Sequence, residues 1–218
     1  MNVNTGTNTY IEKNKTLQNT YGLLSLVTAF SGLMAYMNTF MLIKITPIIV
    51  LAIYFGLIYF THKFKDSALG IVGAFGVAGL LGFSLGPIIE HYISNVSNGG
   101  TLVMQAFLGT AFTFIGVNLY VQSAKPKLNE SWMPILFWTM IVSVGLGMLN
   151  YYFLNLPILS VILSSVILLI SVVYLVFQTN AIINGGETNY ILATIGIFAS
   201  LYNIFVSLLN ILGFLSDD

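Results

Sequence analysis

The sequence predicts an all-α integral membrane protein of seven transmembrane helices, six of them surrounding a central C-terminal one. Three observations lead there. The 218 residues are 57% hydrophobic and only 6% charged, against a charged fraction of about 25% in soluble domains. Seven apolar segments of about 16 to 25 residues follow one another, close to the roughly 20 that a spanning helix needs. The last segment carries Ser200, Asn203, Ser207 and Asn210 at three-four-three spacing, which puts them on one helical face. Polar groups in hydrocarbon need partners, so this face is expected to look into a bundle while phenylalanines and leucines look elsewhere.

Taken in order, residues 1–18 are polar and rich in Asn and Thr, with too little apolar surface to offset the entropy of ordering them. They read as a flexible cytoplasmic tail, followed by a seven-helix transmembrane domain over residues 19–218. The first segment runs from Thr20 to Phe40. A polar stretch precedes it and no small-residue cleavage site follows, so it is expected to stay in the mature protein rather than leave as a signal peptide. The second, Thr46 to Thr61, is the short one and is expected to recruit its flanks.

The third segment, Ala68 to Ile89, places Gly70, Ala74, Ala78, Gly82 and Gly86 at every fourth position, a row of small residues that lets another helix come close. Pro87 near its end makes a kink or a stop inexpensive, because a flanking group or water can take the freed carbonyl. Glu90 and His91 follow and read as solvated interfacial residues. Thr101 to Gln122 and Trp132 to Phe153 make the fourth and fifth segments, Pro157 to Phe177 the sixth, Tyr190 to Phe214 the seventh. Asn118 and Asn150 lie within spans and are expected to hydrogen-bond across helices. Trp132 and Trp138 lie toward a segment end, as an interfacial aromatic belt requires.

All seven basic residues are lysines, and they set the orientation. With a cytoplasmic N-terminus, Lys13, Lys15, Lys63, Lys65, Lys125 and Lys127 lie inside and only Lys44 outside, as the positive-inside rule asks. Asp217 and Asp218 then face the outer side. A formal net charge of zero gives no reason to expect a nucleic-acid partner.

The chemical inventory is sparse. The chain has no cysteine, which removes disulfides and thiolate metal sites. HExxH, GxSxG and P-loop patterns are missing, and His62 and His91 fall at opposite faces of the membrane. No serine within a span has a base at matching depth. No enzyme, cofactor or metal site is expected. Gly185 and Gly186 supply a tight turn before the last span, and Glu187 sits where an acidic group meets the positive end of the helix dipole.

Three blocks carry a resemblance: NTYGLLSLVTAFS at Asn19 to Ser31, GLLGFSLGPIIEHY at Gly79 to Tyr92, and GGETNY with LYNIFVSLLNILG closing the chain. In order and spacing they are similar to the Bax inhibitor-1 family and, within it, to a bacterial branch that modulates an FtsH-type AAA protease. The resemblance implies a multi-pass protein of the bacterial inner membrane that is both modulator and substrate of that protease. It would compete with membrane substrates such as the translocon subunit SecY, the tail serving as a grip. It also implies an alternative, a pH-dependent leak channel for calcium or another cation. Family members of that kind use a pair of aspartates, whose positions correspond here to Gln178 and Ser200. Neither side chain titrates in the relevant range, which weakens the calcium reading. The two are expected either to hydrogen-bond each other or to satisfy backbone carbonyls.

Overall fold

The computed structural model describes residues 5–126, 128–129, 131–184 and 186–216. Among them every regular element is helical: α1 (Thr5–Met41), α2 (Pro47–Lys63), α3 (Ala68–Asn95), α4 (Gly99–Ala124), α5 (Trp132–Leu149) with a π-turn at Asn150–Leu154, α6 (Pro157–Asn184) and α7 (Tyr190–Ser216). Six are long and apolar enough to cross a membrane, and α2, at 17 residues, is the short one. Pro47 opens α2 at a first-turn position, where its missing N–H has no intrahelical partner to lose. Asp217, Asp218 and Lys127 lie outside the described residues.

The helix α1 begins well before the first apolar segment. Its 37 residues extend about 55 Å at 1.5 Å per residue, well beyond a hydrocarbon core of about 30 Å. The segment read as a tail is therefore helical from Thr5 onward and continuous with the span. Leu17 lies against the main core, and Thr20 is fully buried.

The later part of the small-residue row of α3 packs against α1 as a backbone-to-backbone contact, whereas Gly70 lies against the Phe64 carbonyl of the α2–α3 turn. A Cβ placed on Gly82 would stand 2.2 Å from the Ser31 carbonyl oxygen, and one on Gly86 would stand 2.6 Å from that of Ala35. Ser31, Ala35 and Asn38 form the matching face of α1, three and four residues apart. The helix does not stop at Pro87 but continues to Asn95. Proline leaves the carbonyl four residues back without its N–H partner, and Asn38 Nδ2 donates to that Phe83 oxygen at 2.8 Å.

The same Asn38 closes the end of α1. Its Nδ2 donates to the Ile43 carbonyl at 2.9 Å, and its Oδ1 accepts the Ile43 N–H at 3.0 Å. Between them Leu42 takes a left-handed conformation, φ 52°, costly for a branched side chain without such a clamp. Asn118 and Asn150 bridge elements as expected. The Tyr21 hydroxyl of α1 donates to Asn118 Oδ1 on α4. Asn150 Nδ2 donates to the Leu156 carbonyl at 3.0 Å and to Ser160 Oγ at 2.8 Å.

The central element is α7. It packs on α6, α4, α1 and α3, whereas α5 packs chiefly on α6 at the outside. Half of the most apolar stretch of α7 is buried inside the protein, against 6% for α5.

Candidate functional site

The central helix begins with a cap that the turn residues build. Beyond α6 the Gly186 and Glu187 N–H groups donate to the Ala181 carbonyl at 2.7 and 3.1 Å, closing the turn. Gly185 lies outside the described residues. The Glu187 carboxylate accepts the Asn189 N–H at 2.7 Å. Asn189 Oδ1 then accepts the N–H groups of Ile191 and Leu192, both at 3.1 Å, which are donors of the first turn that otherwise lack a partner. Glu187 thus acts on the helix start through Asn189 rather than by its charge alone.

Asn189 also ties three segments together. Its Nδ2 donates to the Lys65 carbonyl and to Asp66 Oδ1, each at 3.0 Å, holding the α2–α3 turn. The neighbouring Thr188 carbonyl accepts from Thr16 Oγ1 of α1 at 3.4 Å. An asparagine just before an apolar run is a helix-start signal that the sequence carries. Its second role, holding a turn more than 120 residues away, has no local signature.

One turn into α7, Thr194 Oγ1 lies within hydrogen-bonding distance of two carbonyls, that of Tyr190 at 2.7 Å and that of Thr20 at 3.2 Å. Deeper still, Gln178 of α6 lies flat on Gly196, where a Cβ would stand 2.5 Å from its Nε2. The hydrogen bond considered between Gln178 and Ser200 is not formed. Ser200 Oγ donates instead to the Gly196 carbonyl of its own helix at 3.1 Å, and Gln178 Oε1 is buried without a partner. Ser171 Oγ and Thr179 Oγ1 on the same helix are likewise buried and unpartnered among the described residues. The structure brings Gln178 to the level of Ser200 but supplies no titratable pair there.

Of the polar face of α7, Ser200 and Ser207 are buried and Asn203 and Asn210 half-buried. The expectation that apolar residues would look elsewhere needs correction. Ile197, Phe198, Ile204, Phe205 and Leu209 are buried too, because a central helix is covered on most of its sides. Asn210 faces open space. It lines two adjoining cavities, one of about 400 Å³ between the end of α5, the start of α6 and α7, and one of about 220 Å³ between the end of α3, the start of α6 and the last turns of α7.

Comparison with known proteins adds four findings. A family profile described as inhibitor of apoptosis-promoting Bax1 matches residues 13–217. The chain is 41% identical to the "Modulator of FtsH protease YccA" of Escherichia coli strain K12, over 95% of this chain and 94% of that one. A second Escherichia coli relative, called "Inner membrane protein YccA", matches to the same extent, and an uncharacterized protein of Pseudomonas aeruginosa is 37% identical over 93% of this chain and 90% of its own length.

Proposed function

The chain belongs to the Bax inhibitor-1 family, and from that premise we propose that it is a non-enzymatic, multi-pass inner-membrane modulator of an FtsH-type AAA protease. The observation that carries this reading is the 41% identity, nearly end to end, with a protein named for that role. In this reading the N-terminus is cytoplasmic, as the six-to-one lysine bias supports. The chain binds the protease in the membrane, and the protease engages its N-terminal end for extraction. Extraction must then break the backbone-close α1–α3 contact and the Asn189 tie, both of which join segments far apart in the chain. The protease stays occupied, and competing membrane substrates such as SecY are spared.

The test is the cellular lifetime of the full-length chain and of a chain lacking residues 1–18, with and without active protease, SecY being followed in the same cells. Protease-dependent turnover of the full chain, together with a stable truncation that protects SecY, is the expected result. Lifetimes indifferent to both tail and protease overturn the proposal.

A second reading, a leak path for calcium or another cation, draws on one observation. Ser171, Gln178 and Thr179 hold buried polar atoms without partners beside the central helix, and unpaired groups of this kind are where internal water or ions reside. The absence of a carboxylate at Gln178 and Ser200 removes the proton-sensing pair. Cation flux in purified vesicles without the protease would raise this reading above the first.

A further inference from the structure

Glycines serve two opposite purposes in this bundle. Gly82 and Gly86 of α3 are needed because the α1 backbone fills the place of a side chain. Gly147 of α5 is different: a Cβ there would meet nothing within 4 Å, and the residue lines the larger cavity. Glycine within a helix costs about 1 kcal/mol relative to alanine, and no close approach inside the protein accounts for it here.

The cavity has an ordered lining. On α6 it follows Ser160, Leu163, Ser164 and Ile167, three and four residues apart and so on one face, and opposite them Gly147 of α5 with Asn150 and Tyr151 of the π-turn. The trough therefore follows the α5–α6 groove for about 15 Å from Pro157, at 1.5 Å per residue. Polar groups crowd its mouth, where the π-turn brings Asn150 and Asn155 beside Asn210, and Leu163, Gly147 and Ile167 make its deeper wall largely apolar, with the Ser164 hydroxyl the one polar side-chain group there. The smaller cavity joins it through Pro157, Ser160 and Asn210 and adds His91 at the end of α3. The side chains of Ser164 and Asn210 hydrogen-bond to no other described residue. Among the described residues the lining holds amide, hydroxyl and imidazole groups but no carboxylate. About 400 Å³ falls within the roughly 300–1,000 Å³ of small-molecule sites.

We propose that this trough is a phospholipid site, one acyl chain lying along Gly147, Leu163 and Ile167 and the phosphodiester headgroup taking donors from Asn155, Ser160 and Asn210. An amphiphile matches a wall that is polar at the membrane surface and apolar below it, and an uncharged donor-bearing mouth suits a phosphodiester better than it suits a cation. The lipid would complete the contact between α5 and the remainder of the bundle. This inference is independent of the protease reading.

The test is native mass spectrometry of the full chain released from detergent, after extraction from membranes and again after exchange into vesicles of phosphatidylethanolamine and phosphatidylglycerol. Gly147→Phe fills the trough. Gly145→Phe is the control, since Gly145 also meets nothing within 4 Å but does not line the cavity. A single adduct of phospholipid mass in the wild type and in Gly145→Phe, reduced at least tenfold in Gly147→Phe, is expected. Equal retention in all three, no adduct in the wild type, or an adduct below phospholipid mass overturns the proposal. Should Gly147→Phe fail to assemble, Asn210→Leu, which removes a headgroup donor, is to be read by the same criteria.

Discussion

Asn38 on α1 completes the hydrogen bond that Pro87 on α3 breaks. The Phe83 carbonyl, left without its helical N–H, accepts from Asn38 Nδ2 at 2.8 Å, and the same side chain clamps Ile43 from both sides. Asn38 is fully buried, so removing it leaves three backbone groups unpaired where water does not reach. Each such group costs about 1–3 kcal/mol, and Asn38→Ala is expected to destabilise the bundle by about 2–4 kcal/mol after relaxation. Pro87→Ala restores an N–H for Phe83. Thermal denaturation in detergent across the two single variants and the double variant should therefore show coupling of about 1 kcal/mol, the loss at Asn38 being smaller without the proline. Strict additivity would contradict this link.

The α1–α3 contact gives a second expectation. At Gly82 even a methyl group would meet the Ser31 backbone at 2.2 Å, an atom that cannot move aside without displacing α1. Gly82→Ala should cost about 2 kcal/mol or more through forced separation of the helices. Gly116→Ala on α4 meets nothing within 4 Å and should be neutral or stabilising by up to about 1 kcal/mol. Compared by resistance to proteolysis and by melting temperature, Gly82→Ala should fall below the wild type and Gly116→Ala at or above it.

These two cases mark what the sequence makes legible. The fourfold spacing of Gly70, Ala74, Ala78, Gly82 and Gly86 announces a close-packed face because helical periodicity is local, and the spans are legible for the same reason. Which helix fills that face is not local, and nothing in the chain before Met41 marks Asn38 as the partner of a carbonyl 45 residues later. The polar stripe of α7 was readable, but not that its apolar neighbours would be buried as well, since that depends on how many helices surround it. Gln178 and Ser200 were placed at one level by resemblance. That Ser200 would turn to its own backbone follows from the Gly196 carbonyl one turn behind it, which competes at no entropic cost.

Asn189 offers a test in which two roles separate. Asn189→Asp keeps the oxygen that caps α7 but loses the amide that holds the Lys65 carbonyl, and it sets a carboxylate beside Asp66. Asn189→Ala loses both. Cap loss costs about 1 kcal/mol, so hydrogen exchange at Ile191 and Leu192 should accelerate roughly fivefold in the alanine variant and change little in the aspartate variant. Exchange in the α2–α3 turn should accelerate in both. A uniform response at the two places would mean that the cap and the tie are one cooperative unit.

Gln178 and Gly196 make the sharpest test of the central contact. The Gln178 amide rests on Gly196 with its Oε1 buried and unpaired. An unpaired buried acceptor is a cost of about 1–3 kcal/mol that an apolar side chain of similar length does not carry, so Gln178→Leu is expected to raise the melting temperature rather than lower it. Gly196→Ala would press a methyl group onto the Gln178 amide at 2.5 Å, and should destabilise the wild type by about 1–3 kcal/mol. In a Gln178→Ala background that space is vacant and the penalty should vanish. Retention of the full penalty there would show that something other than Gln178 confines Gly196. Replacing both Gln178 and Ser200 by Asp places two carboxylates at this same level, where like charges in low dielectric force one to keep its proton. Proton-dependent calcium flux in vesicles bearing that double variant would mean that the path persists and lacks only its sensor. No flux at any pH would mean that the packed α6–α7 contact closes the interior even without Gln178 resting on Gly196.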